Sequence, residues 1–290
     1  MDDDWIEDVP PRIDESPPVY VIPEPWKPFL READLTRMCL ATGLNAMARA
    51  NHLENGLYSQ AFFNVSIGLE RLLKLIYLVD YATTHGGSFP SRKTLQRELG
   101  HDLARLFGEA QVIRNRLADD GHDFGWTLVD ADLAQAIIEV LSEFARSTRY
   151  YNLDYLVGGS GQSRDPLQAW ARDVQDKLAE NYPARQRANA AQRASDLQSL
   201  LGDAASIMQM REDGSHVTTL YEAGVHEALG KWVQQKATYH CATIVRYLAE
   251  ILRGVTWRAI EAGVAVPFLF EFFATDNNPA SYLQRRRAFL

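Results

Sequence analysis

The chain has 290 residues, 46% of them hydrophobic, and a net charge of −8 at neutral pH, which is enough length for one large or two ordinary domains with a real core. Seven acids and one base among residues 1–16 supply −6 of that charge, so the body is nearly neutral and offers no broadly basic face for nucleic acid. No apolar run of about eighteen residues marks a membrane span, the acidic start lacks the pattern of a secretory leader, and Cys39 and Cys241 make no disulfide framework, so a cytoplasmic protein without a membrane partner is expected.

Residues 1–30 form an acidic arm carrying Pro10, Pro11, Pro17, Pro18, Pro23, Pro25 and Pro28. That composition favours extended backbone over a packed element. Within the arm, residues 19–22 offer a short extended piece, and Trp5 and Trp26 offer anchors to the body. From Asp34 the pattern turns helical, with Leu40, Leu44 and Met47 stepping by four and then three. Residues 58–81 carry the strongest helix signal: Phe62, Val65, Leu69, Leu72, Leu73, Ile76 and Val79 share one stripe. Glu70 and Lys74 stand one turn apart in the stabilising order. His85-Gly86-Gly87 stops this helix. Ser91 is the expected cap of a short helix ending at Gly100, and Asp102 caps the next. Its buried face is Leu103, Leu106, Phe107, Ala110, Ile113 and Leu117. Asp119-Asp120-Gly121-His122-Asp123 interrupts the pattern, and Asp130 opens a long helix on Leu133, Ile137, Leu141 and Phe144.

A Gly/Ser segment at 158–164 reads as a linker or loop between a bundle at 31–157 and a C-terminal helical region at 165–290. In that region, 167–181 and 185–210 read as helices, the second alanine-rich and polar. Residues 217–262 read as one or two helices with Ile244, Leu248, Ile251 and Val255 on the late core face. A short helix bearing Arg285, Arg286 and Arg287 follows Pro279. No strand alternation of useful length appears, and the expected fold class is all-α.

Several chemistries lack their parts. There is no glycine-rich phosphate loop between a strand and a helix, no Gly-x-Ser-x-Gly nucleophile elbow and no cysteine pair at metal spacing. Glu222 and His226 stand one turn apart and His240 adjoins Cys241, yet a second helical pair is missing. No cofactor and no metal are therefore expected. What remains is Arg114, Asn115, Arg116 and His122. Metal-free RNA cleavage needs a base for the ribose 2′-hydroxyl and a cation for the phosphate as charge builds on it. The planar fork of Arg suits phosphate. Arg114 edges the apolar face that carries Phe107 and Ala110, and Arg116 points about 200° around the helix from it. A structural use of the same residues, as helix-end partners of Asp119, Asp120 or Glu109, stands beside the catalytic one.

Gly68-Leu69-Glu70-Arg71-Leu72-Leu73-Lys74, Gly100-His101-Asp102-Leu103 and Arg149-Tyr150-Tyr151 occur in this order. With them, residues 35–155 resemble the HEPN superfamily, the higher eukaryote and prokaryote nucleotide-binding domains. The resemblance implies an up-and-down helical bundle that forms a homodimer. It implies, as in many members, a metal-independent endoribonuclease of toxin, abortive-infection or phage-defence systems. The family motif is an Arg, four to six residues, then a His, often with Asn directly after the Arg. Arg114-Asn115 matches its start, but positions 119–121 are Asp119, Asp120 and Gly121. His122 follows Arg116 instead, with Leu117 directly after that Arg. Two functions stay open. One is a ribonuclease acting on RNA, with His122 as general base or acid, Arg114 and Arg116 on phosphate and Asn115 orienting. The other is a non-catalytic helical module binding a partner protein or nucleotide, with the acidic arm and Arg285 to Arg287 as contacts. His101 reads as a residue that caps or fixes a turn.

Overall fold

A computed structural model describes residues 23–158, 164–202, 204, 207–277, 280–286 and 288–289. Most of the acidic arm, including residues 19–22 and Trp5, lies outside the described residues, as do Arg287 and residues 159–163 of the Gly/Ser segment. Helix α1 (Trp26–Arg49) begins before Asp34 and inside the range read as arm. Pro28 permits this, because a first-turn residue needs no intrahelical N–H bond and the proline ring already holds a helical φ.

Helix α2 (Gly56–Thr84) packs along α1. The two backbones come close because glycines face the seam. A Cβ on Gly68 would lie 2.6 Å from Leu40 Cγ and 3.0 Å from Leu40 N, and one on Gly43 would lie 2.6 Å from Val65 Cγ2. The stripe of α2 is buried as its spacing predicts, with Val65, Leu69, Leu72, Leu73, Ile76 and Val79 all in the core.

Ser91 caps the one-turn helix α3 (Arg92–Thr94), which runs into a π-turn at Leu95–Leu99. Asp102 caps α4 (Leu103–Asp119) by accepting from Arg105 N at 3.1 Å. Asp130 caps α5 (Ala131–Glu143), accepting from Leu133 N at 2.9 Å. A π-turn at Phe144–Thr148 and the short α6 (Tyr151–Leu156) follow. These caps satisfy amide groups that a helix start leaves without partners.

Beyond the Gly/Ser segment come α7 (Pro166–Trp170), a π-turn at Ala171–Gln175, α8 (Asp176–Ala179) and α9 (Ala184–Leu201). The helix expected at 185–210 stops at Leu201. Met210 lies instead in β1 (Gln209–Met210), paired antiparallel with β2 (His216–Val217). The hairpin takes the end of that range out of helical bonding: Gln209 pairs with Val217 and Met210 with His216, and the turn between closes through Gly214 N to Arg211 O at 3.0 Å and Arg211 N to Ser215 O at 2.8 Å.

Helix α10 (Leu220–Glu261) is a single rod of 42 residues, about 60 Å long. Its second half is buried against α1, α2, α4 and α5, while its first half carries α9, with Ala194 seated on Gly224. A 3₁₀ segment at Leu269–Asn277 and α11 (Ala280–Leu283) close the order. One hydrophobic cluster joins Phe29, Leu69, Phe107 and Ile137 to Trp170, Leu248 and Phe273. The fold is all-α apart from the small hairpin, and no helix of the described residues is long and apolar enough to cross a membrane.

Candidate functional site

The run that separates Arg114 from His122 is a helix terminus. Gly121 N donates to Ala118 O and His122 N to Leu117 O, both at 2.9 Å, with Gly121 at φ +90°. This is the Schellman arrangement, in which a left-handed glycine lets the chain turn back and satisfy the last carbonyls. A histidine at that glycine position would be strained. The next residue, His122, turns back toward Leu117, and both meet Gly254 of α10: a Cβ there would lie 3.1 Å from His122 Nε2 and 3.2 Å from Leu117 Cδ1.

The loop beyond lies on α10 through aromatic rings. Arg114 Cζ sits 4.6 Å from the Phe124 ring centroid and 5.4 Å from that of Tyr247, and Arg246 Cζ sits 3.7 Å from Trp126. The His122 ring meets Phe124 edge-on at 4.7 Å. Arg114 and His122 thus share one ring. Arg114 Nε and His122 Nε2 are both buried without a hydrogen-bond partner among the described residues. Burial lowers the pKa of His122, and the Arg253 charge lowers it further, against Glu250, Asp123 and Glu261.

The other two sequence candidates point elsewhere. Arg116 pairs with Asp80 of α2, and Asn115 is exposed. Asp120 pairs with Arg258 of α10, not with Arg114. Exposed ion pairs contribute about 0–1 kcal/mol, so Asp80 steers Arg116 more than it locks it. The burial of Nε2 of the partly exposed His122 is the larger obstacle to proton transfer by that atom, since a ring nitrogen must come within reach of the substrate.

A second group comes from three elements that spacing does not connect. His52 lies in the turn between α1 and α2, Glu212 in the turn between β1 and β2, and His226 in α10. One ligand atom from each falls within 4.8 Å of the other two. His226 Nε2 donates to Glu212 Oε2 at 2.9 Å, and His52 Nε2 meets Gln209 Oε1 at 3.1 Å. The Tyr58 hydroxyl donates toward Glu212 Oε1 at 3.0 Å and accepts from Gln175 Nε2 at 2.8 Å. Glu212 is only 5% exposed. Burial pushes its pKa up, but the bonds from His226 and Tyr58 outweigh that and hold the carboxyl below its ordinary value. Burial, and then the Glu212 charge, raise the Tyr58 pKa, so Tyr58 stays a proton donor. Glu212 and His226 line a cleft of about 410 Å³ with Asp176, Arg211 and Asp213.

No protein-family model, curated protein or solved structure matches the chain.

Of this second group, the sequence pattern singled out His226 alone, and with the wrong neighbour. Glu222 closes the capping box of α10, accepting from Thr219 N while Thr219 Oγ1 accepts from Glu222 N. His240, beside the buried Cys241, stands apart from the group, with its pKa lowered chiefly by burial. His52, Glu212 and Tyr58 carry no motif between them, and only the folded chain gathers them. Chemically, the first group clamps a loop to α10. The second presents two imidazoles and an oriented carboxylate beside open space.

Proposed function

We propose that the chain is a HEPN-like helical module that binds a protein partner, first of all a second copy of itself, and does not cleave RNA with its Arg114–His122 group. The observation that carries this reading is the seat of His122: its Nε2 is buried against Gly254 and its ring against Phe124. Bringing that nitrogen to a ribose hydroxyl would mean unseating the loop from α10. Arg114, between two aromatic rings, gains the cation–π energy of a packed clamp, about 0.5–2 kcal/mol per ring, and serves here as a structural cation.

The partner surface in this reading is α6 and the residue after it. Leu153, Tyr155, Leu156 and Val157 are 62–83% exposed in one short stretch. Contiguous exposed apolar surface is a mark of protein association. The full chain, incubated with structured and unstructured RNA in EDTA, is expected to leave both intact. Cleavage that disappears in both His122→Ala and Arg114→Ala would establish the ribonuclease instead.

A further inference from the structure

We propose that His52, Glu212 and His226 form a binding site for a divalent transition-metal ion of the zinc class. None of the three belongs to the Arg114–His122 group. Two imidazoles and one carboxylate are a complete protein ligand set for a three-ligand zinc site with one open position. Two imidazole nitrogens in the set favour zinc over calcium and magnesium, which take oxygen ligands.

A simple ion pair accounts for only part of the arrangement. One proton shared between His226 and Glu212 satisfies that pair, yet His52 converges on the same place, its ring centroid 4.8 Å from that of His226. The carboxylate is also oriented. Tyr58 and, behind it, Gln175 hold Oε1 from the core side, which leaves Oε2 turned toward the imidazoles. Outer hydrogen bonds of this kind fix the ligating face of a metal carboxylate. Metal–ligand distances of about 2.0–2.2 Å put tetrahedral ligand atoms roughly 3.4 Å apart. The present spread is up to 4.8 Å, so binding requires the ligands to draw together, and His52, only partly buried and bonded to Gln209, is the ligand freest to move. The ion would take the place of the hydrogen between His226 Nε2 and Glu212, that ring's proton moving to Nδ1, and competition from protons weakens uptake at acid pH. Two of the three ligands, Glu212 and His226, also line the cleft that holds Asp176, Arg211 and Asp213.

The test uses the full chain, stripped with chelator and dialysed against zinc chloride, with bound metal counted by mass spectrometry and affinity measured by calorimetry. One zinc per chain is expected, with a visible spectrum of four-coordinate nitrogen and oxygen ligation when cobalt(II) is substituted. His52→Ala removes a partly exposed ring and leaves the core untouched. It is expected to abolish stoichiometric uptake with unchanged circular dichroism. Tyr58→Phe keeps the ring and loses the bond to Oε1, and is expected to weaken zinc by about ten- to a hundredfold. His216→Ala, a histidine outside the cluster, is expected to change nothing. No stoichiometric zinc on the wild-type chain would overturn the proposal, as would equal uptake by wild type and His52→Ala.

Discussion

Gly68 shows how much one missing side chain decides. It sits inside the strongest helix of the sequence, where glycine costs about 1 kcal/mol relative to alanine. The seam with α1 explains its presence, since a Cβ would lie 2.6 Å from the Leu40 side chain and 3.0 Å from its backbone nitrogen. Gly108 in α4 has nothing within 4 Å of the same added atom. Gly108→Ala is therefore expected to raise stability by up to about 1 kcal/mol. Gly68→Ala makes the same propensity gain but overpacks the seam at about 1–3 kcal/mol, so it is expected to lower stability. Urea denaturation of the two variants checks the opposite signs. Neighbouring motif residues also act structurally. Glu70 bonds His101 Nδ1 at 2.9 Å and Lys74 at 2.6 Å, which ties the α2 motif to the turn before α4. Asp102 accepts from Ser142 and Arg146 as well as capping α4. The sequence predicted the cap. The long-range bonds have no local signature and were not legible.

At the scale of the element, the loop from Gly121 to Asp130 is fastened to α10 by Arg114, His122 and Trp126. Because burial and Arg253 depress the His122 pKa, the folded state favours the neutral ring. Below the unfolded value of 6.5, the unfolded chain binds more protons than the folded one, so stability falls as pH drops through that value. His240, also depressed, adds a change of the same sign. The wild-type chain is expected to lose stability between about pH 7.5 and 5.5, and His122→Phe, which keeps a ring against Phe124, to lose less over the same range. Denaturation midpoints at the two pH values check this. An unchanged pH response in the variant would show that His122 titrates alike in the folded and the unfolded chain. In sequence this loop reads as a break between two helices. That it packs on α10, which begins about a hundred residues later, rests on Arg–aromatic contacts between segments with no shared period.

At the scale of the whole molecule, the apolar stretch on α6 is left exposed by the core, with Leu153, Tyr155, Leu156 and Val157 close together in sequence. If a second copy covers it, the chain is a dimer in solution. Light scattering after size-exclusion chromatography is expected to give twice the chain mass, and Leu156→Asp, at a residue 79% exposed, to give the monomer without loss of helicity. A monomeric wild type would remove the dimer from the proposed function. The sequence by itself determined the all-α class, the apolar stripes of α2, α4 and α5, and the caps at Ser91, Asp102 and Asp130. Each of these depends on residues within a few positions of one another, where helical period and local hydrogen bonding govern. The tertiary structure alone decided that α10 is one continuous rod through a shared core, that Nε2 of His122 is turned inward against α10, and that His52, Glu212 and His226 meet. Those outcomes depend on which distant faces pack together, and no spacing along the chain encodes the distance between residues brought together by packing.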